Sequence, residues 1–84
     1  MNVTLSRQAQ KQLDKLNEPI KSGIEEALVN LMEEPPVGDI KKLKGNNSFR
    51  IRVGGYRIIY EITGDRIDVY KIAPRGEAYK GGKK

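Results

Sequence analysis

The sequence contains no cysteine and no histidine, and no apolar run in it approaches the roughly 18 residues that a membrane span requires. The lack of cysteine excludes a disulfide scaffold and thiol chemistry. The lack of histidine removes the commonest general base and the commonest metal ligand. The first residues also lack a basic segment followed by an apolar one, so no signal peptide is expected. These absences favour a cytoplasmic protein that needs no membrane, metal or cofactor.

The chain is also short, at 84 residues. A domain of this size buries only about 60% of its unfolded surface, so its core is thin and leaves no room for a deep cofactor cleft. We expect a single domain over residues 1–80, followed by a flexible tail over residues 81–84. Any site should therefore be a surface groove.

Charge is abundant and unevenly distributed. Residues 1–40 contain four Lys or Arg against seven Asp or Glu, whereas residues 41–84 contain twelve against four. The overall charge is +5. A strongly basic half indicates a surface for a polyanion, with nucleic acid as the first candidate. Solubility alone is the competing explanation.

The first half of the sequence predicts one short strand and two helices. Residues 2–5 alternate as a strand does, and Ser6 can cap a helix over residues 7–16. Asn17 is predicted to cap the second helix. The apolar residues of this second helix fall on one stripe, which consists of Ile20, Ile24, Ala27, Leu28, Leu31 and Met32.

The second half predicts strands. Residues 35–47 are expected to form a loop, and from Ser48 onward apolar and polar residues alternate. Gly54-Gly55 predicts a tight hairpin turn. Three strands are placed at residues 48–53, 56–62 and 66–73. The chain order predicts a two-layer α+β fold, β-α-α-β-β-β, in which an antiparallel meander packs against a helical hairpin.

The first hairpin turn predicts a cluster of arginines. A two-residue turn at Gly54-Gly55 places Arg52 opposite Arg57, and alternation adds Arg50 to the same face. Like charges directly opposite each other destabilise a sheet. An anion lying across the three guanidinium groups would remove that cost, and screening by water is the alternative explanation.

The second hairpin is harder to place. If Thr63 pairs with Arg66, then Lys71 falls on the apolar face of the sheet. A β-bulge near Tyr70 would return Ile72 to the core. The sequence pattern leaves both arrangements open.

Three segments of the sequence stand out together. KLKG at residues 42–45 is followed by FRIRVGGYRIIYEI at residues 49–62, and the chain ends with PRGEAYK at residues 74–80. The first pair of blocks resembles the RelE/ParE superfamily of toxins from toxin–antitoxin systems, and the resemblance extends over nearly the whole chain. An arginine after the last strand, with a tyrosine four residues later, is typical of RelE, particularly of its archaeal members.

The resemblance implies an endoribonuclease that cleaves mRNA in the ribosomal A site by attack of the ribose 2′-OH on the adjacent phosphate. By position, Arg57 and Arg75 would hold the scissile phosphate, while Arg50 and Arg52 would bind the backbone and aid proton transfer. Tyr79 would stack on the nucleotide. The implied catalytic set is thus Arg52, Arg57, Arg75 and Tyr79. The implied RNA-binding set is Lys42, Lys44, Arg50, Arg52 and Lys80.

The identity of the general base stays open. Some members of the superfamily carry lysine where this sequence has Arg50 and Arg52, and arginine does not lose its proton in proteins. Tyr79, Glu77 and a ribosomal group are the candidates. The absence of histidine and of clustered carboxylates disfavours a metal-dependent or histidine-based ribonuclease. It fits an enzyme that depends on the ribosome to position its RNA.

Three other functions also stay open. A ParE-like gyrase inhibitor would use the same fold, an RNA- or ribosome-binding domain would bind without cutting, and an altered toxin would have lost activity. Every toxin hypothesis implies a cognate antitoxin, RelB-like, acidic and amphipathic, that covers the basic face. The free toxin is expected to be a monomer.

Overall fold

Two helices cover one face of a five-stranded sheet. The computed structural model describes residues 2–33, 36–43 and 47–74. The helices are α1 (Arg7–Asp14), which ends before the predicted residue 16, and α2 (Ile20–Asn30). The strands are β1 (Asn2–Leu5), β2 (Asp39–Lys42), β3 (Ser48–Val53), β4 (Tyr56–Thr63) and β5 (Arg66–Pro74). They lie in the order β1-β5-β4-β3-β2. The predicted two-layer α+β class is confirmed.

Both helices begin where a side chain satisfies a backbone N–H that has no partner within the helix. At α1 the Ser6 hydroxyl accepts from the Ala9 N–H at 3.0 Å, as predicted. At α2 the predicted cap at Asn17 is wrong. The helix begins further along the chain, and the Glu18 carboxylate accepts from the Ser22 N–H at 3.0 Å. Neither helix of the described ranges is long and apolar enough to cross a membrane.

The core lies between the helices and the apolar face of the sheet. The rings of Phe49 and Tyr60 stack there with centroids 5.5 Å apart, and burial raises the pKa of the Tyr60 hydroxyl. The middle of the predicted α2 stripe is buried, whereas Ile20 and Met32 at its ends are exposed. Each fully buried aliphatic side chain stabilises the fold by roughly 1.5–3 kcal/mol. The fully enclosed members are Ile24, Leu31, Ile51, Ile58, Tyr60, Ile67 and Val69.

The edges of the sheet differ from the sequence prediction. β2 lies within residues 35–47, which were predicted as a loop, and pairs antiparallel with β3 so that Ile40 faces Ile51. A strand of four residues with one apolar side chain offers too little alternation to be recognised. At the other edge β1 pairs in parallel with β5. The predicted meander is therefore the middle of a mixed sheet.

The second hairpin contains a bulge, one of the two arrangements that the sequence pattern leaves open. The register of β4 and β5 shifts at Tyr70, which returns Ile72 to the core. The Ser6 N–H donates to the Val69 carbonyl at 2.8 Å, and the Ser6 hydroxyl donates to the Tyr70 carbonyl at 3.0 Å. The Ile72 N–H donates to Gln12 Oε1 at 2.7 Å. The residues that open and form α1 thus hold the bulge in one position.

Gly38 lets the chain enter β2 close to the core. Its φ is 142°, a region that side chains with a Cβ rarely adopt. A Cβ at this position would lie 2.5 Å from Ile51 Cδ1, which belongs to a fully buried side chain. Both the backbone and the packing therefore require glycine here.

We predict that Gly38→Ala lowers the free energy of unfolding by about 2 kcal/mol, since backbone strain and overpacking both oppose the added methyl group. Urea unfolding followed by circular dichroism measures the change. Gly55→Ala is the matched control. Nothing lies within 4 Å of a Cβ built there, so its effect should stay within about 0.5 kcal/mol. Equal stability of the two variants would contradict the assignment.

Candidate functional site

The face of the sheet turned away from the helices carries the predicted arginines. Arg52 lies opposite Arg57 across the β3–β4 pair, in the register that the tight turn predicts. Side chains alternate along a strand, so Arg50 shares their face. We call the surface formed by Arg50, Arg52 and Arg57 the arginine face. The structure thus brings together these three members of the predicted site.

Two of these arginines are nearly buried, which is rare for a side chain that keeps its charge. Arg50 and Arg57 each expose 5% of their surface. Arg50 Nη1 donates to the backbone carbonyl of Asp39 at 2.9 Å. The Arg50 Nε is buried and has no hydrogen-bond acceptor among the residues described. A buried donor without an acceptor costs about 1–3 kcal/mol, so the fold holds Arg50 at some expense of stability.

Asp39 is a carboxylate that sequence reasoning missed. Its Oδ1 lies 3.5 Å from Arg50 Nη1, and its Oδ2 lies 3.5 Å from Arg52 Nε. Its side chain is 61% exposed, so these ion pairs are weak. This carboxylate offsets part of the charge of the two arginines that it contacts. The residue was overlooked because its position opposite Arg52 exists only once β2 has formed.

Lysines on the neighbouring strands extend the basic surface. Lys41 lies opposite Arg50 on β2, and Lys71 of β5 also falls on the arginine side of the sheet. The predicted RNA-binding residue Lys42 lies instead opposite Phe49, on the side of the sheet that faces the helices. Lys41, which was not in the predicted set, is therefore better placed than Lys42 to act with the arginines.

The remaining predicted site residues lie outside the described residues. They are Lys44, Arg75, Tyr79 and Lys80, together with the candidate base Glu77. The predicted tail over residues 81–84 lies outside them as well.

A tyrosine lies at the other end of the same face. Across β3, β4 and β5, three polar residues face one another: Ser48, Glu61 and Asp68. The Tyr70 hydroxyl interacts with Ser48 and Glu61. Burial, and then the Glu61 carboxylate, raise the pKa of the Tyr70 hydroxyl. Arg66 Nε binds Asp68 Oδ1 at 2.7 Å. This end of the face is mixed in charge, and its tyrosine was not singled out from the sequence.

The arginine face is suited to bind an anion with several oxygen atoms. A guanidinium group presents a planar set of donors that matches phosphate or carboxylate, and it cannot be deprotonated in a protein. Arg52 and Arg57 lie opposite each other across the strands, so an anion bound beside Arg52 would interact favourably with both charges. The geometry therefore favours a phosphate-bearing ligand over an uncharged one.

Solved structures define the class of protein to which this fold and site belong. A chain in the crystal structure of a RelB–RelE antitoxin–toxin complex from Methanococcus jannaschii is 31% identical, with a TM-score of 0.77 over 92% of this chain and 95% of that one. A chain in the archaeal RelE–RelB complex from Pyrococcus horikoshii OT3 is 30% identical, with a TM-score of 0.75 over 89% and 94%. The architecture is that of RelE-type toxins.

Sequence comparison specifies the family. The profile described as the ParE toxin of the type II toxin–antitoxin system parDE matches residues 3–79, so the chain belongs to this toxin family. Toxin RelE3 of Methanocaldococcus jannaschii is 50% identical over 42 residues. That match spans 49% of this chain and 48%, about half, of the curated relative. The resemblance to RelE/ParE toxins, including archaeal ones, is confirmed.

We predict that Arg50→Met leaves the free energy of unfolding unchanged or raises it by up to about 1 kcal/mol. The substitution removes a nearly buried charge, and a buried ion pair is often replaced by apolar groups without loss of stability. Ile51→Ala on the same strand is the control for the assay and should cost about 2–4 kcal/mol. A loss of more than about 1 kcal/mol in Arg50→Met would make Arg50 a structural residue.

Proposed function

We propose that this toxin is a metal-independent endoribonuclease that cleaves mRNA in the ribosomal A site and so inhibits translation. The observation that carries the proposal is the arginine face, three guanidinium groups on one face of the sheet with lysines on the strands beside them. Guanidinium groups bind phosphate through paired hydrogen bonds. Such a surface suits a substrate whose phosphate gains negative charge as it reacts.

The proposed reaction is an attack of the ribose 2′ oxygen on the adjacent phosphorus. A bond from O2′ to phosphorus forms, the bond from phosphorus to O5′ breaks, and a cyclic phosphate and a free 5′-OH result. Arg57 and Arg75 hold the phosphate oxygens and offset the charge of the phosphorane. Arg50 and Arg52 bind the backbone beside it, and Tyr79 stacks on the neighbouring base.

Proton transfer constrains the proposal. The 2′-OH needs a base and the leaving O5′ needs an acid. Arginine cannot accept a proton at neutral pH, so Tyr79, Glu77 or a ribosomal group supplies the base. An enzyme without a dedicated base relies on positioning, which can supply about 7–11 kcal/mol of a barrier. This is the physical reason to expect dependence on the ribosome.

The proposed partner in the resting state is a RelB-like antitoxin. The two similar structures are complexes with RelB antitoxins. An acidic segment would complement the arginine face and exclude RNA from it. Asp39 already places one carboxylate against Arg50 and Arg52, and this contact illustrates the chemistry that an acidic partner would extend.

The match to a ParE toxin profile favours a second candidate, inhibition of DNA gyrase. That activity needs binding alone. It would use the fold without requiring an arginine after the last strand or a tyrosine in the tail.

The decisive experiment is primer extension on a defined mRNA incubated with purified toxin, with and without programmed ribosomes. We expect A-site cuts that require the ribosome. Arg57→Ala and Arg75→Ala should each slow cleavage by on the order of 10²–10³, the effect of removing one group that stabilises developing charge. Arg7→Ala, which removes an exposed arginine of α1 in the other layer, should leave the rate unchanged.

Absence of cuts with and without ribosomes would contradict the proposal. Inhibition of gyrase supercoiling by the same preparation would then establish the second candidate. Cleavage that survives in both Arg57→Ala and Arg75→Ala would place the chemistry elsewhere on the molecule.

A further inference from the structure

Tyr70 lies on the arginine side of the sheet because of the bulge in β5. In a regular strand the alternation of side chains would decide which face of the sheet Tyr70 occupies. The register shift leaves Tyr70 without a partner on β4, between the Val69–Tyr60 pair and the Lys71–Ile59 pair. β-bulges often re-aim a side chain beside a functional site. Here the backbone on both sides of Tyr70 is also bound by hydrogen bonds from the α1 region. The direction of this side chain is therefore built into the fold.

The tyrosine lies across the sheet rather than standing away from it. Its Cα belongs to β5, while its hydroxyl interacts with Glu61 on β4 and Ser48 on β3. The phenol ring therefore lies over β4, between its own strand and β3. Tyr70 remains 37% exposed. A ring that lies along an open surface and stays accessible has the geometry of a stacking platform.

The platform is close to the arginine face. Ser48 precedes Arg50 by two residues on β3, so the Tyr70 hydroxyl lies about 7 Å along the strand from Arg50. A nucleic-acid strand whose phosphates contact the arginines would therefore bring a base within reach of the ring. Burial and the Glu61 carboxylate raise the pKa of the Tyr70 hydroxyl, which favours its protonated form as a donor to Glu61.

We propose that Tyr70 is a base-stacking residue for single-stranded RNA bound across the arginine face, and that Glu61 is a positioning residue that holds its ring flat on the sheet. This inference rests on the proposed function and adds a residue to it. The ligand is a nucleobase next to a phosphate held by Arg52, whose side chain is 36% exposed. Stacking accepts any base, so Tyr70 contributes affinity rather than strict sequence choice.

The test uses full-length protein and a fluorescent single-stranded RNA of about ten nucleotides, with binding measured by anisotropy over a range of salt concentrations. We expect Tyr70→Ala to weaken binding about tenfold, and Tyr70→Phe, which keeps the ring, to bind nearly as the wild type. The slope of log K against log salt should not change in Tyr70→Ala. Arg52→Gln, which removes a phosphate contact, should lower that slope by about 0.7.

An RNA with abasic residues separates stacking from a change in structure. The wild type and Tyr70→Ala should bind this RNA equally, because no base is present to stack. Glu61→Gln should produce a smaller loss than Tyr70→Ala on normal RNA and none on abasic RNA. A thermal unfolding curve for each variant confirms that the sheet is intact.

The outcomes distinguish this inference from the function on which it rests. If the wild type binds no free RNA, the inference is overturned, while the proposed function is decided separately by the primer-extension experiment with programmed ribosomes. If Arg52→Gln weakens binding while Tyr70→Ala does not, the function stands and the role of Tyr70 is overturned. The inference is equally overturned if Tyr70→Ala weakens only the complex with the antitoxin, since Tyr70 would then be a protein contact.

Discussion

The register of the β3–β4 hairpin is the constraint on which the rest of the structure depends. Because side chains alternate, a slip of one residue would exchange the two faces of the hairpin and bury the arginines under the helices. The turn at Gly54-Gly55 sets this register, with Gly54 at a φ of 60°. Ile51 and Ile58 then face the core together, and Arg52 and Arg57 face outward together. One local turn therefore creates both the hydrophobic core and the charged surface.

The charged surface carries an energetic cost that the core must offset. Two arginines are nearly buried, one of them has a buried Nε without an acceptor, and a like-charged pair lies across two strands. In a domain whose net stability is a few kcal/mol, such groups are difficult to explain as structural supports. The buried Arg50 Nε is understandable if an anion completes its hydrogen bonds. The same reasoning applies to the phosphates of RNA and to the carboxylates of an antitoxin, because both groups accept hydrogen bonds from guanidinium donors.

The sequence was sufficient to predict what depends on alternation over long strands. The pairing of Arg52 with Arg57, the grouping of Arg50 with them and the cap at Ser6 follow from residues close together in the chain. The edge strand β2 was missed because its formation depends on a partner strand and on Gly38 rather than on its own four residues. Without β2, the sequence pattern also does not place Asp39 beside the arginines, and it does not put Lys41 and Lys42 on opposite faces of the sheet. The sequence pattern predicts the cap of α2 at Asn17, because a glutamate that accepts from the first turn of a helix, as Glu18 does, has no comparable sequence signature.

The bulge at Tyr70 depends partly on the sequence pattern and partly on tertiary contacts. Its existence can be inferred from the conflict between Lys71 and Ile72, but its position is fixed by Ser6 and Gln12, more than fifty residues away. A site that works by positioning needs such remote supports, because a surface on a thin core cannot rely on enclosure to hold its ligands. The sheet supplies a flat and rigid platform, and α1 fixes the strand that completes it. On this view α1 is more than a cover for the core, since it also determines which side chains β5 presents on the opposite face of the sheet.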